Sequence, residues 1–377
     1  MRDAFIALTT ATALTASTFA LAPAQGRTVS TARASQAVTL SISPGIAQNG
    51  ARVANPASAW VVGGVRVSPA REGRSVRIQR RTSALSGWTT VTRGSTNASG
   101  FFRFKADGAA GSTPYEFRAV AAATSTLARS ASVPVTAASW QLKFEDRFTG
   151  SSLNPANWSY RQLGLRQPGR SKSQSSTQAV HVVGGALHLQ VRKNPNRAGY
   201  LLNGHIGSQG RFSYRYGVAA ARIKFQRGRG QHGAFWTQPD ARQAEFGAAA
   251  QTGAEVDAVE FFGQGYPKGG LAHFLYSYPR EGVTNKYGGV FPGAVRALRG
   301  RTDTWWSRYH VFSVAWTSSG YVFRIDGVPT WRTSKAVSRV PQYLILSLLS
   351  SDWELPQLDR KALPSDMKVD WVRVWQR

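Results

Sequence analysis

The sequence GAEVDAVEFFG at residues 253–263 is the most informative stretch of the chain. It holds three carboxylates, Glu255, Asp257 and Glu260, although the whole chain has only 19 Asp and Glu residues against 47 Lys and Arg. Side chains of a β-strand alternate between its two faces, so Glu255 and Asp257 share one face. A β-bulge at Ala258-Val259, which adds one residue, brings Glu260 to that face as well. The stretch therefore predicts a bulged strand with three carboxylates on one side.

Three like charges on one strand face repel each other, which disfavours a purely structural role. A retaining glycosidase needs such a set, because one carboxylate attacks the anomeric carbon while a second, held protonated, donates to the leaving oxygen. Asp257, through its charge or a shared hydrogen bond, can orient Glu255 and raise the pKa of Glu260. The alternatives are an acidic strand facing the chain's own Arg excess and a calcium site. Calcium loops usually bring Asn, Gly and Ser instead of Val, Ala and Phe.

The stretch resembles the E-x-D-x-x-E signature of glycoside hydrolase family 16, in the bulged form typical of laminarinase-like and agarase-like members. Further segments resemble the family in its own order: residues 144–148 (FEDRF), 216–224, 230–236, 310–316, 326–327 and 367–374. The resemblance covers residues 139–377 and implies an all-β fold, a concanavalin-like β-jelly-roll sandwich. Alternating runs at 187–191, 321–325 and 368–375 also predict strands. Carried over by position, the resemblance implies Glu255 as nucleophile, Asp257 as its electrostatic helper and Glu260 as acid/base.

Four further side chains are candidate sugar contacts: Trp236, His273, Trp353 and His232. An indole ring stacks on the apolar face of a sugar, and His273 falls on the strand after the catalytic one, where the family often has a site histidine. His232 replaces the first Trp of the family's usual Trp-Pro-Ala-Phe-Trp run, which predicts one altered sugar platform. The alternatives are a core position for each Trp and, for His273, a histidine whose hydrogen bonds are satisfied within the protein.

A structural calcium site is a further implication of the resemblance. The family's opening strand usually carries Asp-Glu-Phe, and this Glu often binds calcium together with an aspartate of the closing strand. Here Arg147 replaces the Glu, while the closing aspartate, Asp370, remains. A guanidinium beside Asp370 would satisfy its charge without a metal. We therefore expect no cofactor, with Asp370 as the one candidate calcium ligand.

The remaining chain predicts a secreted protein with a second β domain. Residues 1–24 have the pattern of a signal peptide, with Arg2, an apolar stretch and an A-x-A site that predicts cleavage after Ala24. A polar linker at 25–36 precedes residues 37–137, where short alternating runs are separated by turn signals. This pattern predicts an immunoglobulin-like β-sandwich that serves as a spacer or as a weak carbohydrate- or wall-binding module. Trp88 is a candidate sugar platform there, although a core position fits such a sandwich better.

Composition excludes several classes of function. The chain has no cysteine, so thiol catalysis, thiolate metal sites and redox roles are excluded. Its six histidines lack the spacing of a zinc site, and no glycine-rich phosphate loop is present. No stretch is apolar enough for a confident membrane anchor, so we expect no membrane partner.

The formal net charge is +28, and the Arg excess is spread over both predicted domains. Spread charge favours a general surface property over a nucleic-acid footprint, which would form a patch or stripe. A field this positive attracts anionic polymers, so acidic cell-wall polymers are candidate partners besides a polysaccharide substrate. We expect a monomer.

Taken together, these features predict a secreted retaining endo-β-glycanase that cleaves β-1,3- or mixed-linkage β-glucan. Hydrolysis of a galactan of the agarose or carrageenan type, or transglycosylation through the same covalent intermediate, is the alternative among enzymes. A non-catalytic glycan-binding surface protein is the alternative outside them. Such a protein would be expected to lose the acidic pair, and here all three carboxylates are present.

Overall fold

The computed structural model describes residues 33–44, 60–110, 113–137, 141–164, 167–240, 244–298 and 302–376. The predicted signal peptide, its cleavage site after Ala24 and most of the predicted linker lie outside these residues. Within the described ranges, no helix has the length and apolar character needed to cross a bilayer.

The N-terminal unit is a two-layer β-sandwich in the part that the structure describes. Its strands are β1 (Ala37–Pro44), β2 (Trp60–Ser68), β3 (Ser75–Arg81), β4 (Thr89–Ser95), β5 (Phe101–Asp107), β6 (Ala109–Ala110), β7 (Thr113–Pro114), β8 (Glu116–Ala121), β9 (Ser130–Ala131) and β10 (Val135–Thr136). One sheet has the order β1-β2-β5 and the other β10-β8-β3-β4, with β9 beside β8 and β6 paired with β7. Val65 and Phe104 of the first sheet share a core with Ile78 and Phe117 of the second. The immunoglobulin-like assignment stays a prediction.

Residues 33–36 belong to this sandwich, which corrects the predicted linker boundary. Ala34 forms a bridge with Leu127. The buried side chain of Gln36 donates to the carbonyl oxygens of Ala122 and Ala128 at 2.9 and 2.6 Å. The sandwich thus begins before residue 37. A polar side chain that serves buried backbone carbonyls gives no hydrophobic pattern, which is why the sequence suggested a linker.

The C-terminal domain is built almost entirely of strands. They are β11 (Gln141–Asp146), β12 (Ser159–Tyr160), β13 (Ser173–Ser175), β14 (Val180–Val183), β15 (Ala186–Lys193), β16 (Leu201–Gly207), β17 (Ser213–Tyr214), β18 (Gly217–Lys224), β19 (His232–Pro239), β20 (Glu255–Phe261), β21 (Leu271–Arg280), β22 (Val283–Val290), β23 (His310–Thr317), β24 (Gly320–Ile325), β25 (Val328–Thr333), β26 (Gln342–Leu349) and β27 (Ser365–Gln376). The short helix α1 (Ala249–Thr252) and 3-10 turns at 177–179, 267–269, 292–297, 355–357 and 360–362 connect them. The predicted strands at 187–191, 321–325 and 368–375 lie within β15, β24 and β27.

Two sheets stack face to face in this domain. One follows the order β12-β16-β26-β19-β20-β21-β22. The other follows β14-β15-β27-β18-β23-β24-β25, with β11 paired to the end of β27. Pairing of β15 with β16 joins the two sheets into a closed, curled structure. The all-β jelly-roll prediction is confirmed.

The hydrophobic core lies between these sheets and fixes the orientation of β20. Val256, Val259 and Phe261 of this strand are buried in the core with Phe235 and Leu346 from the neighbouring strands. Since one face of β20 is committed to the core, its polar side chains occupy the opposite face. This face positions the candidate site.

Candidate active site

The predicted bulge is present in β20. Where this strand pairs with β21, two residues, Ala258 and Val259, stand opposite the single residue His273. The extra residue shifts the alternation of side chains, so Glu260 returns to the face of the other two carboxylates. The strand therefore brings all three acids to the side that faces away from the core.

Glu255 is held by a hydrogen-bond network from neighbouring strands. The Gln238 side-chain amide donates from Nε2 to Oε2 of Glu255 at 2.8 Å. Its Oε1 accepts from Arg161 Nη2 at 3.1 Å and from the Tyr343 hydroxyl at 3.0 Å. Because these donors fix which end of the amide points to the carboxylate, Gln238 can only donate to Glu255. The arrangement favours an ionised, oriented Glu255.

Asp257 lies between the two glutamates and is only 3% exposed. Burial, and then the negative charges of Glu255 and Glu260, raise its pKa well above the ordinary value, which the ammonium of Lys286 offsets in part. Its Oδ2 has no hydrogen-bond partner among the described residues. A carboxyl group in this environment retains its proton more readily than an exposed one and can donate it in a hydrogen bond to a neighbouring carboxylate.

Burial also raises the pKa of Glu260. The positive charges of His232 and Lys286 act against this rise, and the negative charge of Glu354 adds to it. A carboxyl group with a raised pKa keeps its proton to higher pH than an ordinary glutamate, which suits a general acid. Within one strand, the environment thus differs between Glu255, which accepts a hydrogen bond from Gln238, and Glu260, whose pKa is raised by burial.

His232 pairs with Glu354 on the same face. Its Nδ1 donates to Oε2 of Glu354 at 2.7 Å, and this oxygen also accepts from the backbone nitrogen of Ser351 at 3.0 Å. Burial alone would lower the pKa of His232, but the charge and hydrogen bond of Glu354 outweigh it, so the pKa is raised. The residue that replaces the family's Trp is therefore a histidine whose charged form is stabilised by a buried carboxylate.

Lys286 brings a second cation to the site. It stands opposite Tyr276 in the pairing of β21 with β22. Its Nζ lies 4.0 Å from the ring centroid of Phe274 and 5.3 Å from that of Tyr276. Burial and the three carboxylates raise the pKa of Tyr276, which therefore keeps its phenolic proton.

Sequence reasoning missed four polar residues of this site: Arg161, Gln238, Lys286 and Glu354. One signal was available, because Gln238 follows Trp236 by two residues on the same strand and must share its face. The other three reach the site through strand pairing and loop placement, which no local pattern in the sequence reports.

The two candidate tryptophans differ in exposure. Trp236 stands opposite Asp257 in the pairing of β19 with β20, and its Nε1 donates to Ser347 Oγ at 3.1 Å. It is partly exposed on the carboxylate face. Trp353 is 56% exposed and its ring lies 6.0 Å from that of Phe262. Both rings are accessible, and their contact with sugar stays a prediction.

Comparison with protein families agrees with this geometry. The model of glycosyl hydrolases family 16 matches residues 170–373, more than half of the chain. The chain belongs to this family. It is therefore a glycoside hydrolase that acts on O-glycosyl compounds.

Three curated relatives are each 26 or 27% identical in sequence to this chain. A beta-glucanase of Rhodothermus marinus is 26% identical over 257 residues, which cover 63% of this chain and 85% of the relative. Glucan endo-1,3-beta-glucosidase A1 of Niallia circulans is 27% identical over 276 residues, covering 63% of this chain and 38% of the relative. Keratan-sulfate endo-1,4-beta-galactosidase of Sphingobacterium multivorum is 26% identical over 301 residues, covering 77% of this chain and 67% of the relative.

Solved structures support the family-16 fold. The laminarinase of Rhodothermus marinus superposes with a TM-score of 0.52 at 22% identity, covering 63% of this chain and 97% of that one. The laminarinase catalytic domain of Thermotoga maritima gives a TM-score of 0.51 at 19% identity, covering 63% and 98%. At these identities the likeness establishes the jelly-roll fold alone.

His273 does not lie on the carboxylate face of the family-16 domain. It is fully buried on the core side of β21, its ring 5.0 Å from that of Phe323. Its Nδ1 lies 2.7 Å from the carbonyl oxygen of Ala258, and its Nε2 lies 2.9 Å from Thr330 Oγ1. The prediction of a sugar contact is wrong, because His273 lies with Leu271 and Leu275 on the face of β21 that packs on the core. His273 instead donates a hydrogen bond to the bulge itself.

The family's calcium ion does not fit the residues around Asp370. Oδ2 of this carboxylate accepts a hydrogen bond from Arg222 of β18, so its charge is already paired with a cation. Among the described residues, no three His, Asp or Glu side chains are grouped so that they could hold a metal ion. The guanidinium that pairs with Asp370 belongs to Arg222, whereas the sequence pointed to Arg147.

Proposed function

We propose that this family-16 hydrolase is a secreted, retaining endo-β-glycanase that cleaves β-1,3- or mixed-linkage β-glucan. The observation that carries the proposal is the bulged strand β20, which gathers Glu255, Asp257 and Glu260 on one face. Gln238 orients the first of these acids, and burial raises the pKa of the other two. A pair of carboxyl groups in different protonation states is the requirement of this reaction.

Each acid has a separate role in the proposed reaction. An ionised oxygen of Glu255 attacks the anomeric carbon while Glu260 protonates the glycosidic oxygen, so the aglycone leaves and a glycosyl-enzyme ester remains. Glu260, now ionised, removes a proton from water, which attacks the same carbon and releases Glu255. Asp257 shares its proton with the neighbouring carboxylates and limits their repulsion. Delivery of a sugar hydroxyl in place of water would give transglycosylation.

One curated relative is named a beta-glucanase and another a glucan endo-1,3-beta-glucosidase, which supports a β-glucan substrate. The partly exposed Trp236 and the exposed Trp353 supply rings on which sugar units can stack. A galactan is the second candidate, because the relative named as a keratan-sulfate galactosidase matches 77% of this chain, a larger share than either glucanase. Cationic groups on the carboxylate face, Lys286 and His232, suit a polymer that carries acidic substituents.

The test is reducing-sugar release from laminarin, curdlan, lichenan, agarose and a carrageenan, with Glu255→Gln as the blank. Release from a β-glucan that is absent in a folded blank supports the proposal and assigns the linkage. Release from agarose or carrageenan alone replaces glucan by galactan. No release from any polymer, together with retarded migration in affinity gels containing one of them, would identify a glycan-binding protein and overturn the enzymatic proposal.

Secretion and assembly belong to the same proposal. Cleavage after Ala24 predicts a mature protein that begins at Gln25. Amino-terminal sequencing of the protein from culture medium checks this residue, and retention of the chain inside the cell contradicts it. Gel filtration with light scattering checks the expected monomer.

A further inference from the structure

A cluster of arginines covers the outer face of the sheet β10-β8-β3-β4 in the N-terminal unit. This face lies opposite the one that packs into the sandwich core. The cluster, called the arginine face below, comprises Arg77, Arg81, Arg93 and Arg118 with Trp88, and Arg129 acts electrostatically on Arg118. The sequence suggested that positive charge is spread evenly, and strand pairing concentrates it here.

The pairing places like charges side by side. Arg77 of β3 stands directly opposite Arg93 of β4, and the next residue of β3 on this face, Gln79, stands opposite Arg118 of β8. Like charges opposite each other on neighbouring strands destabilise a sheet. The stability of the sandwich therefore gives no reason for this arrangement, and an anionic ligand would relieve the repulsion.

Trp88 arranges two of the guanidinium groups. Cζ of Arg81 lies 4.4 Å and Cζ of Arg118 lies 4.3 Å from the centroid of the Trp88 ring. The indole is half-buried and does not belong to the core cluster, contrary to the core position favoured by the sequence. A guanidinium stacked on an aromatic ring loses little further freedom when its N–H edge binds an anion. Trp88 thus holds two cationic forks in place.

The charge of this face is largely uncompensated. Residues 37–137 contain 12 Lys and Arg against three Asp and Glu. Among the described residues, the member of the arginine face with an acidic partner is Arg81, whose Nε donates to Glu116 at 2.6 Å. Burial, and then the charges of Arg129 and Arg81, lower the pKa of Arg118.

We propose that the arginine face binds an acidic polysaccharide through the carboxylate or sulfate groups along its chain. Planar guanidinium groups bind such groups bidentately, and the outer face of a sheet can contact an extended polymer. The same chain carries a glycoside hydrolase domain. Because the substrate of that domain is a glycan, a glycan is also the expected polymer ligand of the arginine face. Binding there holds the hydrolase on a matrix that contains acidic glycan.

The test measures binding of the full chain to fluorescein-labelled polygalacturonate and chondroitin sulfate by anisotropy, with neutral dextran as baseline. The variant Arg77→Gln/Arg93→Gln/Arg118→Gln removes three charges from the face. The matched control Arg71→Gln/Arg211→Gln/Arg360→Gln removes three charges at exposed positions elsewhere. We expect the face variant to bind at least one of the acidic glycans about tenfold more weakly and the control to change less than about twofold. Thermal unfolding verifies that both variants are folded.

Equal losses in the two variants would mean that net charge alone attracts the polymer, and the proposal would be overturned. Duplex DNA that binds more tightly than both glycans, with the same loss in the face variant, would replace the glycan by a nucleic acid. A second variant, Arg81→Lys/Arg118→Lys, keeps the charge but removes the stacked forks. We expect about threefold weaker binding from it, and undiminished affinity contradicts the role of Trp88 in presenting the forks.

Discussion

Nδ1 of His232 lies 2.7 Å from Oε2 of Glu354, and the pair acts electrostatically on Glu260. Glu354 is only 3% exposed, so its charge needs a partner, and it raises the pKa of His232 in return. The cation that results lowers the pKa of Glu260 against the effect of burial. The pair, together with Lys286, therefore limits how far the pKa of the proposed acid/base rises.

Replacement of His232 by Gln should move the alkaline limb of activity to higher pH. The variant lacks the imidazolium charge, so the pKa of Glu260 rises further and the acid keeps its proton over a wider range. The pH dependence of kcat/KM on a soluble glucan measures this shift. His181→Gln, at an exposed position of β14, is the control and should leave the profile unchanged. An unchanged or acid-shifted limb in His232→Gln contradicts the relationship.

Replacement of Glu260 by Gln should affect substrates according to their leaving groups. Loss of general acid catalysis costs about 10²–10⁴-fold in rate when the leaving group is a sugar hydroxyl. An aryl glycoside with an acidic phenol needs little protonation, so its glycosylation step should be almost unaffected. Burst kinetics with aryl and oligosaccharide substrates separate the two steps. An equal loss of the first step on both substrates would argue against the acid role.

Replacement of Gln238 by Leu should lower kcat more than it changes KM. The amide that orients Glu255 is lost, while Arg161 and Tyr343 lose their shared acceptor. A displaced nucleophile attacks less often, and small displacements cost up to about a hundredfold in rate. Initial rates over a range of soluble glucan concentrations give both constants. A rise in KM alone would assign Gln238 to substrate binding instead.

The carboxylates and their bulge were predictable because both follow from residue order within one strand. Alternation fixes the face of Glu255 and Asp257, and a single added residue returns Glu260 to it. His273 was misassigned because the sequence does not show which face of β21 packs on the core, and His273 shares that face with Leu271 and Leu275. Its position depends on the register between two strands, which the sequence of either strand does not contain.

Register also explains why the sequence shows no sign of the arginine face, although the Arg excess is spread over both domains. Arg77 and Arg93 lie in different strands and appear in the sequence as separate members of a uniform excess. Antiparallel pairing sets them directly opposite each other and brings Arg118 to the adjacent strand. Patches formed by pairing between strands become visible only once the sheet order is known.

Replacement of Asp257 by Asn should stabilise the fold while it lowers activity. Because the pKa of Asp257 is raised in the folded chain, the folded state binds more protons than the unfolded chain above the ordinary pKa of Asp, about 3.9. The free energy of unfolding therefore falls as pH rises from the ordinary pKa of Asp to the raised pKa of Asp257 in the folded chain. An amide carries no charge, so the variant should gain about 0.5–2 kcal/mol at pH 8.

Urea unfolding of the wild type and of Asp257→Asn at pH 4 and pH 8 measures this gain. The difference between the two free energies of unfolding should be small at pH 4 and larger at pH 8. A variant that is less stable than the wild type at pH 8 would show that Asp257 is ionised and stabilising in the folded protein.

Replacement of His273 by Leu should loosen the bulge and thereby lower activity, although His273 is buried in the core and does not lie on the carboxylate face. A carbonyl oxygen only accepts, so Nδ1 of His273 carries the proton that binds Ala258, and burial lowers the pKa of the ring to about 4. The leucine variant leaves that buried carbonyl without its donor, at a cost of about 1–3 kcal/mol. His273→Asn, which keeps a donor near Nδ1, should recover part of both stability and kcat.

Since the ring is neutral above its pKa, the pH profile of His273→Leu should keep its shape, unlike that of His232→Gln. Wild-type stability and kcat in His273→Leu would show that the bulge holds without this hydrogen bond.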